Sequence, residues 1–432
     1  MFGKRAVTLA IVLMVALTVG VLAGCGAQEQ AGTEADSGAG PAEGPQEILI
    51  GTVLPLTGKE SRIGNYQLDG YELAIEQWNE KGGIYVKEFD RRIPIRLISY
   101  DDETDQAKTV SLTERLVTVD NVTALLGGYT TTLVFAQSVV PEKYGVPYVN
   151  GGGAATKIYD RGFKYVFGTL SPIEILAKTE MDFLKEQIDA GNLPKPSTIV
   201  LLWENTSHGK DFQAGVRAKV EEYPDYFEIL LDESFELHAS DFSALLNKVN
   251  SLEADLFLVD AHLPDYILMH RQYTEKGMYH KFITYGARGP DPAAKDALGA
   301  ATDYVAAAVW WTPDLPYPQV QQFNQDFMEF TERKYGEAKP PQWYAAVTYE
   351  AARALFTAIE QAGTLDRDAI RDALDNLVLE PSILPGQRLT FSDSGQALNP
   401  FVVVQNMPGG ETVIIYPEDA KTGEPVVPVP AK

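Results

Sequence analysis

From residue 47 onward, short runs rich in Val, Ile, Leu, Phe and Tyr alternate with longer stretches whose apolar residues recur at helical spacing. That alternation constrains the chain more than any other feature. A strand covered on both faces reads as a nearly continuous apolar run, and two parallel strands need a crossover between them, usually a helix. The pattern predicts strands at 48–54, 93–100, 122–126, 147–150, 198–203, 227–231, 256–259, 282–285 and 304–309. It predicts helices at 66–80, 106–119, 134–143, 173–188, 210–222, 242–252, 266–276, 319–335 and 344–362. The first helix carries Tyr71, Ala74, Ile75 and Trp78 on one stripe and stops at Gly82-Gly83. About four βα units precede Lys164 and about four follow Ser197, more than one compact sheet usually holds. The expectation is an α/β chain of two Rossmann-like, doubly wound lobes, with a late β-rich tail at 387–391, 401–405 and 412–416.

The N-terminus reads as an address. Lys4 and Arg5 precede an apolar run over 6–23, which ends at Leu22-Ala23-Gly24-Cys25. A basic start, an apolar middle and small residues at the end are what a secretory signal needs. An uncleaved membrane anchor is the competing reading. The box Leu-Ala-Gly-Cys resembles a bacterial lipoprotein signal, which implies that residues 1–24 are removed and that Cys25 carries the lipid. Residues 26–46 hold no large apolar side chain and read, with Cys25, as a disordered tether over 25–46.

Composition and motifs exclude several function classes. The 432 residues include 60 acidic, 36 basic, 5 His and 1 Cys, for a net charge of −24. A single thiol rules out an intrachain disulfide and Cys-rich metal or cluster chemistry. The acidity argues against a nucleic-acid partner and against binding to anionic headgroups. No G-x-G-x-x-G follows the first strand, where the turn reads Pro55-Leu56-Thr57-Gly58, and Gly209-Lys210 lacks the rest of a phosphate loop. No nucleophile elbow or H-E-x-x-H is present, and His208, His238, His262, His270 and His280 show no ligand spacing on one helical face. Asp101-Asp102-Glu103 with Asp105 lacks the EF-hand pattern and reads as capping at a helix start. The chain is therefore expected to be no enzyme and to need no cofactor or metal.

The loops after the strands are more informative. In open parallel sheets, ligands sit beyond the carboxyl ends of the strands. Gly127-Gly128-Tyr129-Thr130-Thr131-Thr132 follows one predicted strand and Gly151-Gly152-Gly153-Ala154-Ala155-Thr156 the next. Small residues allow close backbone approach and hydroxyls supply hydrogen bonds, chemistry that suits a carboxylate or amide. Ile50-Gly51-Thr52, Pro55-Leu56-Thr57-Gly58, Gly70-Tyr71-Glu72-Leu73-Ala74, Gly82-Gly83-Ile84, Tyr100-Asp101-Asp102, Gly145-Val146-Pro147 and Ala154-Ala155-Thr156 recur in order with that loop. Together they resemble the substrate-binding proteins of branched-chain amino acid ABC transporters, the leucine/isoleucine/valine-binding type of periplasmic binding protein.

The resemblance implies a type I fold of two lobes joined by three crossovers, closing on a ligand. It implies a first lobe of 47–168 plus 312–364 and a second of 169–311 plus 365–432, a small-molecule ligand, permease and ATPase partners, and a monomer. By the same resemblance Thr131, Thr132, Ala154, Ala155 and Thr156 would hold the ligand's carboxylate, and His208, His262 and Arg288 would line the second lobe's side. Tyr129, Trp203 and Tyr66 are candidates for an aromatic wall. The type places a tyrosine where His208 stands and an acid near 286–288, where this chain has Arg288. That departure puts a zwitterionic amino acid in doubt unless Asp265 or Glu204 reaches in, and it admits an organic acid or amide, including an aromatic one. A sensory receptor for a membrane signalling protein is the alternative function.

Overall fold

The computed structural model describes residues 44–431. The expected signal, Cys25 and nearly all of the expected tether lie outside the described residues. The rest forms two large sheets and a two-stranded hairpin, Ile84–Val86 with Arg91–Ile93. The first is parallel throughout, in the order Ile95–Asp101, Ile48–Leu54, Ala124–Leu126, Tyr148–Asn150, Val166–Gly168. The second runs Thr412–Tyr416, Val402–Asn406, Ala306–Val309, Phe282–Tyr285, Leu256–Asp260, Ser197–Glu204, Phe227–Phe235, with only its two C-terminal strands antiparallel. In each large sheet the first strand in sequence lies between the second and the third. The loops leaving it and its third-strand neighbour diverge to opposite faces, which opens a crevice at the carboxyl ends of the strands.

The chain passes between the lobes three times. After Gly168 it enters the helix Ile173–Asp189, which packs beneath the second sheet on Ala306–Val309 and Val402–Asn406. After Val309 it returns, and the helices Pro318–Tyr335 and Trp343–Ala362 pack on Ser61–Glu80. After Arg367–Asp375 it crosses back to the strand Val402–Asn406. The crossing segments are stitched together: Ser171 Oγ donates to Asn399 O at 2.8 Å, Trp310 Nε1 to Ser171 O at 2.9 Å, and Gln396 Nε2 to Ala154 O at 3.0 Å. This is the expected fold class, two doubly wound lobes with three connections.

Trp343–Ala362 is apolar nearly all round because it touches the helix Ser61–Glu80, the helix Arg367–Asp375 and two strands. Gly70 permits the closest of these approaches, since a Cβ there would meet Ala345 O at 2.3 Å. No helix among the described residues is long and apolar enough to cross a membrane.

Several local expectations differ. The first helix begins at Ser61, a turn and more before position 66. The helix expected over 134–143 is two, Thr131–Gln137 and Val139–Tyr144, because Pro141 has no N–H to give to Gln137. The strand expected over 387–391 forms only isolated bridges, Leu379 to Leu389 and Phe391 to Ala397. Asp105 caps Gln106–Thr118 by accepting from Lys108 N at 2.8 Å, so the acidic run acts as a helix start.

Candidate functional site

The two crevices face each other and the lobes are closed. Arg62 on the first lobe pairs with Asp291 on the second through both carboxylate oxygens, at 3.0 and 3.1 Å. Thr156 N donates to Asp211 Oδ2 at 2.9 Å, and His238 Nε2 lies 3.5 Å from Glu60 Oε1. Arg288 Nη2 donates to Tyr129 Oη at 3.2 Å across the cleft.

Arg288 is the least compensated of these groups. It follows the strand Phe282–Tyr285 in a single 3-10 turn and is 2% exposed. Its Nε and Nη1 have no partner among the described residues, and it forms no ion pair there. Burial opposes its charge, but Tyr129, Tyr344, Asp260 and Glu204 nearby outweigh that and hold the guanidinium ionised. The ring of Trp343 lies 5.6 Å from its Cζ, and Tyr129 and Tyr344 meet edge to face at 5.9 Å. A buried cation with two free nitrogens beside an aromatic wall is built to receive an anion.

The second lobe adds a cluster of imidazoles and carboxylates. Glu204 ends the strand Ser197–Glu204 and Asp260 ends its neighbour Leu256–Asp260. Thr206 caps the helix Ser207–Glu222 through Gly209 N, which sets His208 in the first turn. His208 Nδ1 is 2.7 Å from Asp260 Oδ2, and His262 Nδ1 is 2.8 Å from Glu204 Oε2. Burial opposes both charges of the second pair, yet their mutual attraction prevails, holding Glu204 below the usual carboxylate range and His262 above the usual imidazole range.

The candidates divide accordingly. Arg288, Tyr129, His208 and His262 meet in the buried cleft, and Thr131, Ala154 and Ala155 are buried in the first lobe. Thr156 presents a buried Oγ1 that finds no partner among the described residues. Thr132 is exposed and lines a pocket of about 420 Å³ with Glu60 and His238, so it is not part of the buried cluster, which this pocket adjoins where the His238 ring lies 6.4 Å from that of His262. Trp203 is also corrected: its Nε1 donates to Asp232 Oδ1 at 2.7 Å on the neighbouring strand, beside Gln213 and Arg217, outside the cleft. Tyr66 stacks on Phe327 at 6.4 Å under Arg62 and packs as helix surface rather than as a cleft wall. Glu204 does reach the cleft, whereas Asp265 Oδ2 is taken by His238 N at 3.0 Å.

Sequence reasoning missed Glu60, Asp260, Asp291, Trp343 and Tyr344. Asp260 had a signal, an acid at the last position of an apolar strand, but Trp343 and Tyr344 arrive on the second crossing with no local mark.

Thr156 and Thr132 are separable by experiment. Changing Thr156 to Val should weaken ligand affinity by about tenfold, because a ligand oxygen would lose its hydroxyl partner, while Thr132→Val should leave it unchanged. Equal effects of the two changes in calorimetry would contradict this placement.

A family model described as periplasmic binding protein matches residues 47–411. The chain belongs to the periplasmic binding protein family. Its members are binding proteins, not enzymes. Among relatives of this periplasmic binding protein, Leu/Ile/Val-binding protein homolog 7 of Brucella abortus (strain 2308) is 26% identical over 400 residues, covering 89% of this chain and 95% of the relative. A leucine binding protein from Thermotoga maritima MSB8 superposes with a TM-score of 0.72 at 21% identity, covering 86% of this chain and 99% of its own. A solute binding protein from R. palustris, solved with benzoate, gives 0.71 at 19% identity over 89% of this chain and 98% of its own. These structural likenesses establish the fold, and the resemblance to the leucine/isoleucine/valine-binding type holds.

Proposed function

We propose that this periplasmic binding protein is an extracytoplasmic solute receptor that closes on a small organic acid and delivers it to an ABC permease and its ATPase. The observation that carries this reading is Arg288, buried in the cleft with Nε and Nη1 unpartnered. Burying an uncompensated charge costs several kcal/mol, a cost that a ligand carboxylate removes on closure. Tyr129, Trp343 and Tyr344 favour a flat acid, and the benzoate-bound neighbour is consistent with that. An amino acid would have to place its ammonium on Asp260, since Glu204 is already engaged by His262 and Thr206. Residues 47–168 with 312–364 would move against 169–311 with 365–432 about the stitched crossings, as a hinge.

A thermal-shift screen of benzoates, dicarboxylates and branched-chain amino acids, each against its primary amide, tests the reading. A ligand at about 100 times its dissociation constant stabilises the folded state by about 2.7 kcal/mol. Acids should shift the melting point and amides should not; shifts from amides alone would overturn it. The lipid anchor has its own test. Cys25→Ser should release the chain into the soluble fraction, and persistent membrane attachment would contradict lipidation.

A further inference from the structure

We propose that the second-lobe wall of the cleft is a site for a divalent transition-metal ion, held by Glu204, His208 and Asp260. The coordinating atoms of Glu204, His208 and Asp260 lie within 4.8 Å of one another, and all three residues are buried. His262 Nδ1, 2.8 Å from Glu204 Oε2, holds that carboxylate in place beside them. The donors are not gathered by helical spacing. They converge because two parallel strands pair in register, with Asp260 opposite Trp203, so that Glu204 and Asp260 end side by side and each is followed within one turn by a histidine.

A second observation points to a missing occupant. Asp260 is 1% exposed and its Oδ1 has no partner among the described residues. Gly286, whose φ is +52°, leaves room for that oxygen itself, since a Cβ there would come within 2.7 Å of it. A buried carboxylate oxygen left unpaired is unfavourable, and a metal bond would satisfy it. One imidazole with two carboxylates is a mixed nitrogen and oxygen set, which suits zinc, cobalt, nickel or copper and not the all-oxygen preference of calcium or magnesium. Two carboxylates also balance a dication, which leaves the Arg288 charge available for an anion beside it.

The full-length chain in detergent, stripped with a chelator, is titrated with zinc chloride in a calorimeter and with cobalt(II) followed by absorbance, without any organic acid present. One equivalent should bind saturably, and cobalt should show the visible bands of a low-coordinate site. His208→Gln and Asp260→Asn should each weaken binding by about tenfold or more, while His280→Gln, outside the cleft, should not. Absence of saturable binding by the wild-type chain, or binding that both cleft variants retain, would overturn the site. The wild-type cobalt titration decides the matter by itself if either variant fails to fold. A negative result would leave the carboxylate reading intact, since no acid enters the experiment.

Discussion

Changing Arg288 to Met should weaken ligand binding by about 30-fold or more while leaving the melting temperature of the ligand-free chain the same or higher. The two halves of that result share one cause. In the closed cleft without a ligand the guanidinium is buried, gives one hydrogen bond to Tyr129, and has no carboxylate partner among the described residues. Methionine keeps an apolar stem and carries no charge, so it removes a desolvation cost from the closed, ligand-free form. In the complex the same change strips the ligand carboxylate of its counter-charge, a loss of about 2–5 kcal/mol or roughly 30- to 5,000-fold in affinity. Lysine should not rescue, because a point charge on a flexible stem cannot give both the Tyr129 bond and the free nitrogens of the planar group. Calorimetry with an acid found by screening, together with a melting curve, checks both halves. Affinity within threefold of wild type would sink the assignment.

The second large effect lies below the second sheet. Glu180, on the helix Ile173–Asp189, is fully enclosed, and Oε1 accepts from Thr284 Oγ1 at 2.8 Å and Ala308 N at 2.9 Å. Burial pushes its carboxyl up to about 8. The folded state therefore keeps a proton that the unfolded chain releases near 4.5. A raised folded value means stability is fully present below pH 4.5 and is lost as pH rises through about 8. Across that window the loss is on the order of several kcal/mol. Glu180→Gln keeps both acceptor bonds and cannot ionise. Its melting point should match wild type near pH 4.5 and exceed it at pH 8. Parallel curves for the two proteins across that range would show that Glu180 is not held neutral.

The long elements were legible because pattern and packing agree. Ile48–Leu54 is a continuous apolar run closed by Pro55, and it forms the strand expected at 48–54. Short elements were not. Val166–Gly168 and the hairpin Ile84–Val86 with Arg91–Ile93 have three residues per strand, too few for any period to register. Their existence depends on neighbours that only the fold supplies. Residues 387–391 alternate like a strand but find no ladder, because the chain there is crossing between lobes.

The site was legible to the same degree. Arg288 stood out because it falls just past a strand end in the position where the resemblance expects an acid. Trp203 was misplaced for the opposite reason: being at a strand end does not say which face a side chain takes, and period-2 alternation sends Trp203 one way and Glu204 the other. The imidazole–carboxylate cluster was invisible because its four members are joined by sheet register, not by spacing along one helix.

A crystal structure with the tightest-binding acid tests the central claim most directly. The account predicts the carboxylate in the cleft, within about 3 Å of Arg288 Nε or Nη1 and with its apolar part against Tyr129, Trp343 and Tyr344. A ligand held elsewhere, with those nitrogens turned to a protein carboxylate or to water, would contradict it.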